Sequence, residues 1–147
     1  MQAVRIGLVG AGFMGKIHSI AYRNAAMLFG HEVPVVDPVV VSDFDPTLAE
    51  RAARDWGWSR TAREWQEVTA ADDVDVVDIC TPNDTHVEIA LDALARGKHV
   101  LCEKPLALDG IGAHELCLAA AASGRVTQVG FVYRQWPAVA MARKARR

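Results

Sequence analysis

Val4-Arg5-Ile6-Gly7-Leu8-Val9-Gly10-Ala11-Gly12-Phe13-Met14-Gly15 is the stretch that decides the fold of this chain. It predicts a short apolar strand, a glycine turn and the start of a helix. Gly10, Gly12 and Gly15 have the spacing G-x-G-x-x-G. The first permits a tight turn, the second leaves room for a pyrophosphate against the backbone, and the third lets the helix pack closely on the sheet. The helix N-terminus would offer unpaired N–H groups and a partial positive charge to that anion.

Apolar strands and helices alternate along the rest of the chain, without repeats or internal linkers. Strands are predicted at residues 4–9, 39–41, 74–79, 99–102 and 126–130, and helices at 13–28, 46–56, 61–68, 84–95, 110–123 and from 137 onward. Such alternation favours right-handed parallel crossovers and a sheet covered by helices on both faces. The predicted fold is therefore α/β, with a doubly wound, mostly parallel sheet in a single domain.

Two local predictions concern the first third of the chain. The helix over 13–28 is expected to bury an apolar side formed by Ile17, Ile20, Ala21 and Leu28. The segment 30–38 is predicted to be an irregular loop, because Pro34 and Pro38 restrict the backbone and lack an N–H donor.

Composition restricts the classes of partner and compartment. The 147 residues carry a formal net charge of −2, which gives no indication of a nucleic-acid or membrane-surface partner. No apolar run has the roughly twenty residues that a membrane span needs, and the first strand begins too early for a signal peptide. Cys80, Cys102 and Cys117 show no C-x-x-C spacing, which disfavours a disulfide framework or a metal site and fits a cytoplasmic protein.

Unusual polar residues follow the predicted strands at the points where the strands end. These segments are Ser42-Asp43-Phe44-Asp45, Thr81-Pro82-Asn83-Asp84-Thr85-His86, Glu103-Lys104-Pro105 and Phe131-Val132-Tyr133-Arg134. In an open parallel sheet, ligands bind beyond the carboxyl ends of the strands, near the point where the strand order reverses. We therefore expect these segments to converge with the glycine turn on one edge of the sheet.

Asp43 is the candidate for binding the adenosine ribose hydroxyls of a dinucleotide. Its distance from the glycines exceeds the usual spacing of about twenty residues, and the long segment 30–38 accounts for the excess. A carboxylate there repels a 2′-phosphate, and Phe44 supplies no cation to hold one, so NAD is preferred over NADP. The alternative is that Asp43 only forms a turn at the strand end. Asp45 is expected to cap the next helix, with Pro46 at its first position.

Lys104 is the candidate for acid–base chemistry. It is expected at a strand end between Glu103 and Pro105, where it would hydrogen-bond a substrate hydroxyl and assist its deprotonation. A solvated surface lysine is the alternative. A cis peptide bond before Pro105 would aim Lys104 inward, although cis is the minority state of such bonds.

The segment 81–86 and the remaining histidines leave alternatives open. His86 would contact the cofactor edge or serve as a packing residue at a helix start, and Thr81-Pro82-Asn83 would line the site or only begin a helix. His18 and His114 are expected to be structural or solvated, because they lie within helices.

Together, these motifs resemble the nucleotide-binding half of the Gfo/Idh/MocA oxidoreductases, which include glucose-fructose oxidoreductase and inositol 2-dehydrogenase. The resemblance covers essentially the whole chain and rests on residues 7–15, 43, 81–86, 97–107 and 129–134. It implies a Rossmann fold that binds NAD. The implied cofactor contacts are Gly10, Gly12, Phe13, Met14, Gly15, Asp43, Thr81, Pro82, Asn83, His86, Glu103 and Lys104.

The resemblance also implies hydride transfer between the nicotinamide and a hydroxyl-bearing carbon of a sugar or cyclitol, with Lys104 as the catalytic residue. The family's other catalytic residues, an Asp and a His, belong to a second α+β domain that binds substrate and builds a homo-oligomer. No part of this chain matches that domain. Residues 1–130 are therefore assigned to the NAD-binding domain and 131–147 to the start of a connection toward a missing substrate domain, and the chain alone is expected to be inactive.

Two other functions compete with an oxidoreductase. The chain could be a stand-alone module that holds a dinucleotide without catalysis. It could also be a Rossmann-like methyltransferase that uses the glycine turn for S-adenosylmethionine, but Glu103-Lys104-Pro105 has no evident use in methyl transfer.

Overall fold

The computed structural model describes residues 3–145 and alternates strands with helices. The strands are β1 (Val4–Val9), β2 (Val36–Ser42), β3 (Arg60–Ala62), β4 (Val76–Ile79), β5 (His99–Cys102) and β6 (Thr127–Val129). The helices are α1 (Phe13–Phe29), α2 (Pro46–Trp56), α3 (Trp65–Ala70), α4 (His86–Ala95), α5 (Gly110–Ser123) and α6 (Pro137–Ala145). Short 3-10 turns cover Gly30–Glu32 and Val132–Gln135. The ends of the predicted segments 1–130 and 131–147, at residues 1, 2, 146 and 147, lie outside the described residues.

The strands form one sheet in the order β3-β2-β1-β4-β5-β6, and every neighbouring pair is parallel. The chain first builds outward from β1 to β3, then returns to the other side of β1 with β4. The strand order therefore reverses between β1 and β4, where a doubly wound sheet opens a crevice at its carboxyl edge. The predicted doubly wound α/β fold is confirmed.

Two apolar clusters, each formed around central strands, hold the helices on the sheet. One joins β4 and β5 to α3, α4 and α5 through residues such as Val68, Val77 and Ile89. The other joins β1 and β2 to α2 through residues such as Leu8, Val41 and Ala52. Burial on both faces explains why these strands are continuous apolar runs rather than alternating ones.

The prediction of a helix over residues 61–68 is wrong at its beginning. Residues Arg60–Ala62 form β3, which pairs with Val40–Ser42 of β2, and α3 begins only at Trp65. The start of α3 is set by Glu67, whose side chain accepts the backbone N–H of Glu64. A three-residue strand with only one buried side chain leaves no periodic signal in the sequence.

The predicted irregular loop over residues 30–38 is also partly wrong, because Pro38 lies within β2. Proline is tolerated here for two reasons. The ladder between β1 and β2 changes register at this point, with Ile6 opposite Pro38 and Gly7 opposite Val40. In addition, β3 pairs only with the last part of β2, so Pro38 lies outside the paired part of that ladder, with its carbonyl accepting the N–H of Ser59.

Helix α1 buries a different side from the predicted one. Its buried residues are Gly15 and Ser19, whereas the predicted apolar residues Ile17, Ile20, Ala21 and Leu28 are exposed. The Ser19 hydroxyl donates to the Gly15 carbonyl and accepts from the indole N–H of Trp58. Small residues face the sheet because the helix packs very close to it, and the larger apolar side chains are therefore left outside.

The predicted helix ends are confirmed in detail at α2 and α5. Asp45 accepts the N–H of Thr47 and Asp109 accepts that of Gly112, as N-caps do. Beyond α5, the side chains of Phe131, Tyr133 and Trp136 are about half exposed or more. Across residues 3–145, the helices are all too short or too polar to traverse a lipid bilayer.

Candidate functional site

The glycine turn between β1 and α1 has the geometry that a bound pyrophosphate requires. Gly10 has a φ of +101°, and a Cβ there would lie 2.6 Å from the backbone carbon of Cys80. A Cβ at Gly15 would collide with the carbonyl oxygen of Gly10. By contrast, a Cβ at Gly12 would meet no atom within 4 Å, so the backbone there faces open space. Gly10 and Gly15 are thus needed for the fold, and Gly12 leaves the approach to the turn clear.

A cleft of about 620 Å³ lies between the glycine turn and the loops after β2 and β4. Its lining includes Gly10, Gly12, Asp43, Thr81 and Pro82, as the convergence of strand ends predicts. Phe13 and Met14 lie in the first turn of α1, beside this cleft, with Phe13 largely exposed. Because β4 and β5 are adjacent and parallel, Lys104 follows the same edge of the sheet. The predicted convergence on one edge is confirmed.

Asp43 occupies the end of β2 and is fixed by the backbone. Its carboxylate accepts the N–H of Ala11 at 2.7 Å and the N–H of Asp45 at 2.9 Å. The first bond ties the strand end directly to the glycine turn. Each oxygen retains a second lone pair, so the carboxylate can still accept from hydroxyl groups in the cleft. Ser42 also lines the cleft, and its buried hydroxyl has no hydrogen-bond partner within residues 3–145.

His86 links two loops of the site and does not face the cleft. The residue is 1% exposed, and its two ring nitrogens lie 2.8 Å from the carbonyl oxygen of Pro105 and 3.0 Å from that of Thr81. These bonds fit the predicted alternative of a packing residue at a helix start. The contact of His86 with a cofactor stays a prediction. Asn83 is exposed on the same loop.

Glu103 and Lys104 follow β5 and differ sharply in exposure. Glu103 is 4% exposed, and its carboxylate accepts the N–H of Lys104 at 3.1 Å, whereas Lys104 itself is exposed. The peptide bond before Pro105 is cis. Gly130, at the end of β6, makes room for the glutamate, because a Cβ there would lie 2.5 Å from Glu103 Oε1.

A buried polar cluster underlies this part of the site. His18 Nδ1 lies 2.9 Å from Asp78 Oδ2, and its Nε2 lies 3.4 Å from Glu103 Oε1. The Tyr22 hydroxyl donates to Asp78 at 2.7 Å, and the Cys80 thiol lies 3.6 Å from the same carboxylate. Asp78 is fully buried in β4, so these groups supply the donors that a buried carboxylate requires.

Electrostatics within this cluster favour a charged imidazole and neutral donors. Burial disfavours the charged form of His18, but the hydrogen bond with Asp78 and the charges of Asp78 and Glu103 outweigh it, so the pKa of His18 is raised above its ordinary value of 6.5. Burial and the Asp78 charge raise the pKa of Tyr22 and that of Cys80. Both groups therefore keep the proton that they share with Asp78.

The ligand atoms of His18, Asp78 and Cys80 lie within 4.8 Å of one another, which is a spacing that metal sites use. Hydrogen bonding already accounts for the arrangement. A metal ligand would need the Cys80 thiolate, whereas the raised pKa of Cys80 favours the thiol. All three cysteines of the chain are free.

The structural alternative predicted for His18 is confirmed, because its ring is hydrogen-bonded to Asp78 within the buried cluster. What the sequence does not show is its partners, and it also leaves two side chains of the cleft unmarked. Arg63 and Trp65 line the cleft opposite Asp43, and no motif marks them. Their place follows from β3, which the sequence pattern did not reveal.

Comparisons with known proteins agree with this geometry. The family model described as "Oxidoreductase family, NAD-binding Rossmann fold" (Gfo/Idh/MocA) matches residues 4–131. Levoglucosan dehydrogenase of Pseudarthrobacter phenanthrenivorans is 42% identical over 98% of this chain and 37% of its own length. Inositol 2-dehydrogenase 4 of Saccharopolyspora erythraea is 40% identical over 90% of this chain and 38% of its own.

A solved structure shows the same fold with its ligands in place. Levoglucosan dehydrogenase in complex with NADH and levoglucosan superposes with a TM-score of 0.93 at 41% identity, over 97% of this chain and 38% of that one. The present chain thus spans less than two fifths of the length of these relatives. Because the family model covers most of the chain, the protein belongs to the Gfo/Idh/MocA oxidoreductase family and forms its NAD-binding Rossmann fold.

Proposed function

We propose that this chain is the nucleotide-binding part of an NAD-dependent oxidoreductase that acts on a hydroxyl-bearing carbon of a sugar or cyclitol. The observation that carries the proposal is the meeting of three features on one edge of the sheet: the open backbone at Gly12, the fixed carboxylate of Asp43, and the exposed Lys104. A dinucleotide spans such a crevice, with its two halves on either side of the reversal in strand order.

The residues of the cleft fit NAD. The glycine turn and the N-terminus of α1 would hold the pyrophosphate, and Asp43 with the unpartnered hydroxyl of Ser42 would receive the adenosine end. The Asp43 carboxylate would repel the 2′-phosphate of NADP, which favours NAD. Arg63, which also lines the cleft, is a cation that could attract the same phosphate, so the affinities for NAD and NADP should be compared directly.

Lys104 is proposed as the catalytic group of this chain. Bound NAD would accept a hydride at its nicotinamide. The exposed Lys104 would hydrogen-bond the hydroxyl from which the proton leaves, and Glu103 would fix the backbone of the lysine through its N–H. Proton transfer from the hydroxyl makes the departure of the hydride easier, because negative charge builds on that oxygen.

The isolated chain is proposed to bind cofactor without turnover. It spans about 37% of the length of levoglucosan dehydrogenase, and we propose that most of the substrate site lies outside residues 3–145. We assign residues 1–130 to the NAD-binding domain and 131–147 to the beginning of a connection to a substrate domain. A module that only holds the dinucleotide is the second candidate, and it would use the same cleft.

Calorimetric titration with NAD, NADP and S-adenosylmethionine tests the binding proposal. We expect binding of NAD, weaker binding of NADP, and none of S-adenosylmethionine. Binding of S-adenosylmethionine alone would refute an oxidoreductase. Absorbance at the NADH band with myo-inositol and with levoglucosan then tests activity. Turnover by this chain would contradict the view that the substrate site lies elsewhere.

The proposed partners are a small sugar or polyol and a second copy of the protein, in the cytoplasm. The exposed aromatic side chains of Phe131, Tyr133 and Trp136 support self-association, because contiguous apolar surface tends to be covered. No feature of the sequence points to a nucleic acid or to a membrane surface. Sedimentation over a range of concentrations would test the oligomer.

A further inference from the structure

Two acidic side chains and a single imidazole form the buried cluster of His18, Asp78 and Glu103. Asp78 lies opposite three potential donors, from His18, Tyr22 and Cys80, and a carboxylate accepts from all three without needing an acceptor for a proton of its own. Both ring nitrogens of His18 face carboxylate oxygens, which they satisfy together only when each carries a proton. The charges therefore do not cancel, and one negative charge remains in excess.

This excess charge lies at the catalytic end of the crevice. Asp78 is in β4 and Glu103 directly follows β5, while the adenosine end is assigned to Asp43 beyond β2, on the other side of β1. Glu103 is also bonded to the backbone of Lys104, the residue assigned to the reacting hydroxyl. The nicotinamide ring must lie beside that hydroxyl. It therefore lies near the buried negative charge, in a region where solvent screens poorly.

We propose that the cluster of His18, Asp78 and Glu103 makes the cleft discriminate between the two redox states of the cofactor, by stabilising the positively charged nicotinamide of NAD⁺ over the neutral ring of NADH. This inference rests on the proposed function and adds to it a group that decides which form is held more tightly. The discrimination is the ratio of the NADH dissociation constant to the NAD⁺ dissociation constant.

The two charged ends of the cluster act on that ratio in opposite directions. Glu103→Gln removes a negative charge and keeps an acceptor for the Lys104 N–H, so the ratio falls. His18→Gln removes the positive charge and leaves the carboxylates, so the ratio rises. For a unit charge several ångströms from the nicotinamide ring at an intermediate dielectric, each substitution is expected to change the ratio of dissociation constants by about threefold to tenfold. Loss of structure alone would weaken both cofactors and would not reverse the sign.

The groups that face His18 decide how the ratio depends on pH. Asp78 lies in β4, and Cys80 directly follows that strand. Glu103 follows β5, and Tyr22 belongs to α1, the helix that carries His18. Below the pKa of His18, the imidazolium offsets one carboxylate. As the pH rises through that pKa, the offset is lost and the ratio increases in the unmodified protein, but not in His18→Gln.

The test measures NAD⁺ and NADH affinities of the full chain at pH 6 and pH 8.5, by calorimetry and by NADH fluorescence. Glu115→Gln is the matched control, since it removes one carboxylate from the exposed side of α5. We expect opposite shifts in Glu103→Gln and His18→Gln, none in Glu115→Gln, and a rise with pH in the unmodified chain.

The possible results separate the two proposals. A chain that binds neither cofactor would overturn the proposed function and this inference with it. Normal binding with equal weakening of NAD⁺ and NADH in both variants would overturn only the inference. If a variant fails to fold, as judged by its thermal transition, the pH dependence of the unmodified chain decides. The titration of the His18 imidazole is then followed by NMR, and a ratio that does not rise through that titration refutes the cluster's role.

Discussion

At the amino edge of the sheet, Arg5 and Asp75 form a two-bond ion pair at 2.6 and 3.0 Å, whereas at the carboxyl edge His18 stands between two buried carboxylates. The ion pair is about one third exposed and its charges balance. The cluster at the other edge is almost fully buried and keeps an excess of negative charge. Charge at the amino edge thus serves the fold, and charge at the carboxyl edge remains available to a ligand.

The backbone is covered by a side chain at the amino edge and left uncovered at the carboxyl edge. At the amino edge, Lys98 Nζ donates to the carbonyls of Ala71 and Val74, so that backbone acceptors are covered by a side chain of the protein. At the carboxyl edge, the glycine turn is bare at Gly12 and no side chain lies within 4 Å of the position of its Cβ. This contrast predicts that changes at the amino edge affect stability alone, whereas changes at the carboxyl edge can affect the binding of a ligand as well as stability.

The largest expected effect comes from Gly10→Ala. Its positive φ and the nearby backbone of Cys80 leave no space for a methyl group, so we expect a loss of about 3 kcal/mol or more in the free energy of unfolding. Urea denaturation measures it. An unchanged midpoint would mean that the turn can rearrange, and the tight geometry would then not be required.

Gly12→Ala is the matched change two residues away. Because its Cβ meets nothing within 4 Å and no positive φ is needed, unfolding should change by less than about 1 kcal/mol. The methyl group would occupy the approach of the pyrophosphate, so NAD affinity should fall by about tenfold or more, a loss of about 1.4 kcal/mol. Retained affinity in a calorimetric titration would place the pyrophosphate elsewhere.

The next effect concerns His18 at the carboxyl edge. In the folded protein its pKa is raised above the ordinary 6.5, so its contribution to stability is complete below that pH and is lost as the pH rises through the folded-state pKa. His18→Gln should therefore cost about 2 kcal/mol at pH 6 and clearly less at pH 9. Thermal unfolding of both proteins across this range gives the difference. A difference that grows as the pH rises would contradict the raised pKa of His18.

Asp75→Asn at the amino edge should have the opposite pH dependence and a smaller effect. The Arg5 guanidinium lowers the pKa of Asp75 from 3.8 to about 2, so the stabilisation is present above pH 3.8 and is lost as the pH falls toward 2. Since the pair is partly exposed and screened, the cost at pH 7 should be about 0.5–1 kcal/mol. NAD affinity should not change. A loss of NAD affinity would show that the amino edge influences binding at the carboxyl edge, which would contradict the separation of the two edges.

The sequence predicts the carboxyl edge better than the elements that support it. Strand ends are visible because apolar runs stop at polar residues, which places Asp43 and Lys104 on the same edge once the strands are parallel. The partners of His18 are not visible, since Asp78 is 60 residues away and nothing local pairs them. The exposed side of α1 was misassigned for a related reason: close packing through Gly15 and Ser19 leaves apolar residues outside, against the usual rule of amphipathic helices.

Two lysines provide the final comparison, because each belongs to one edge and neither is expected to change the NAD affinity strongly. Lys104→Ala should leave the NAD affinity within about threefold, since an exposed lysine contributes little to binding a cofactor that we propose is held by the glycine turn and Asp43. Lys98→Ala should also preserve affinity but should lower stability by about 1 kcal/mol, because two partly buried carbonyls lose their donor. Calorimetry and urea denaturation of both variants separate these outcomes. A large loss of affinity in Lys104→Ala would show that this lysine holds the cofactor instead of serving the reacting hydroxyl, and the assignment of the catalytic end would have to change.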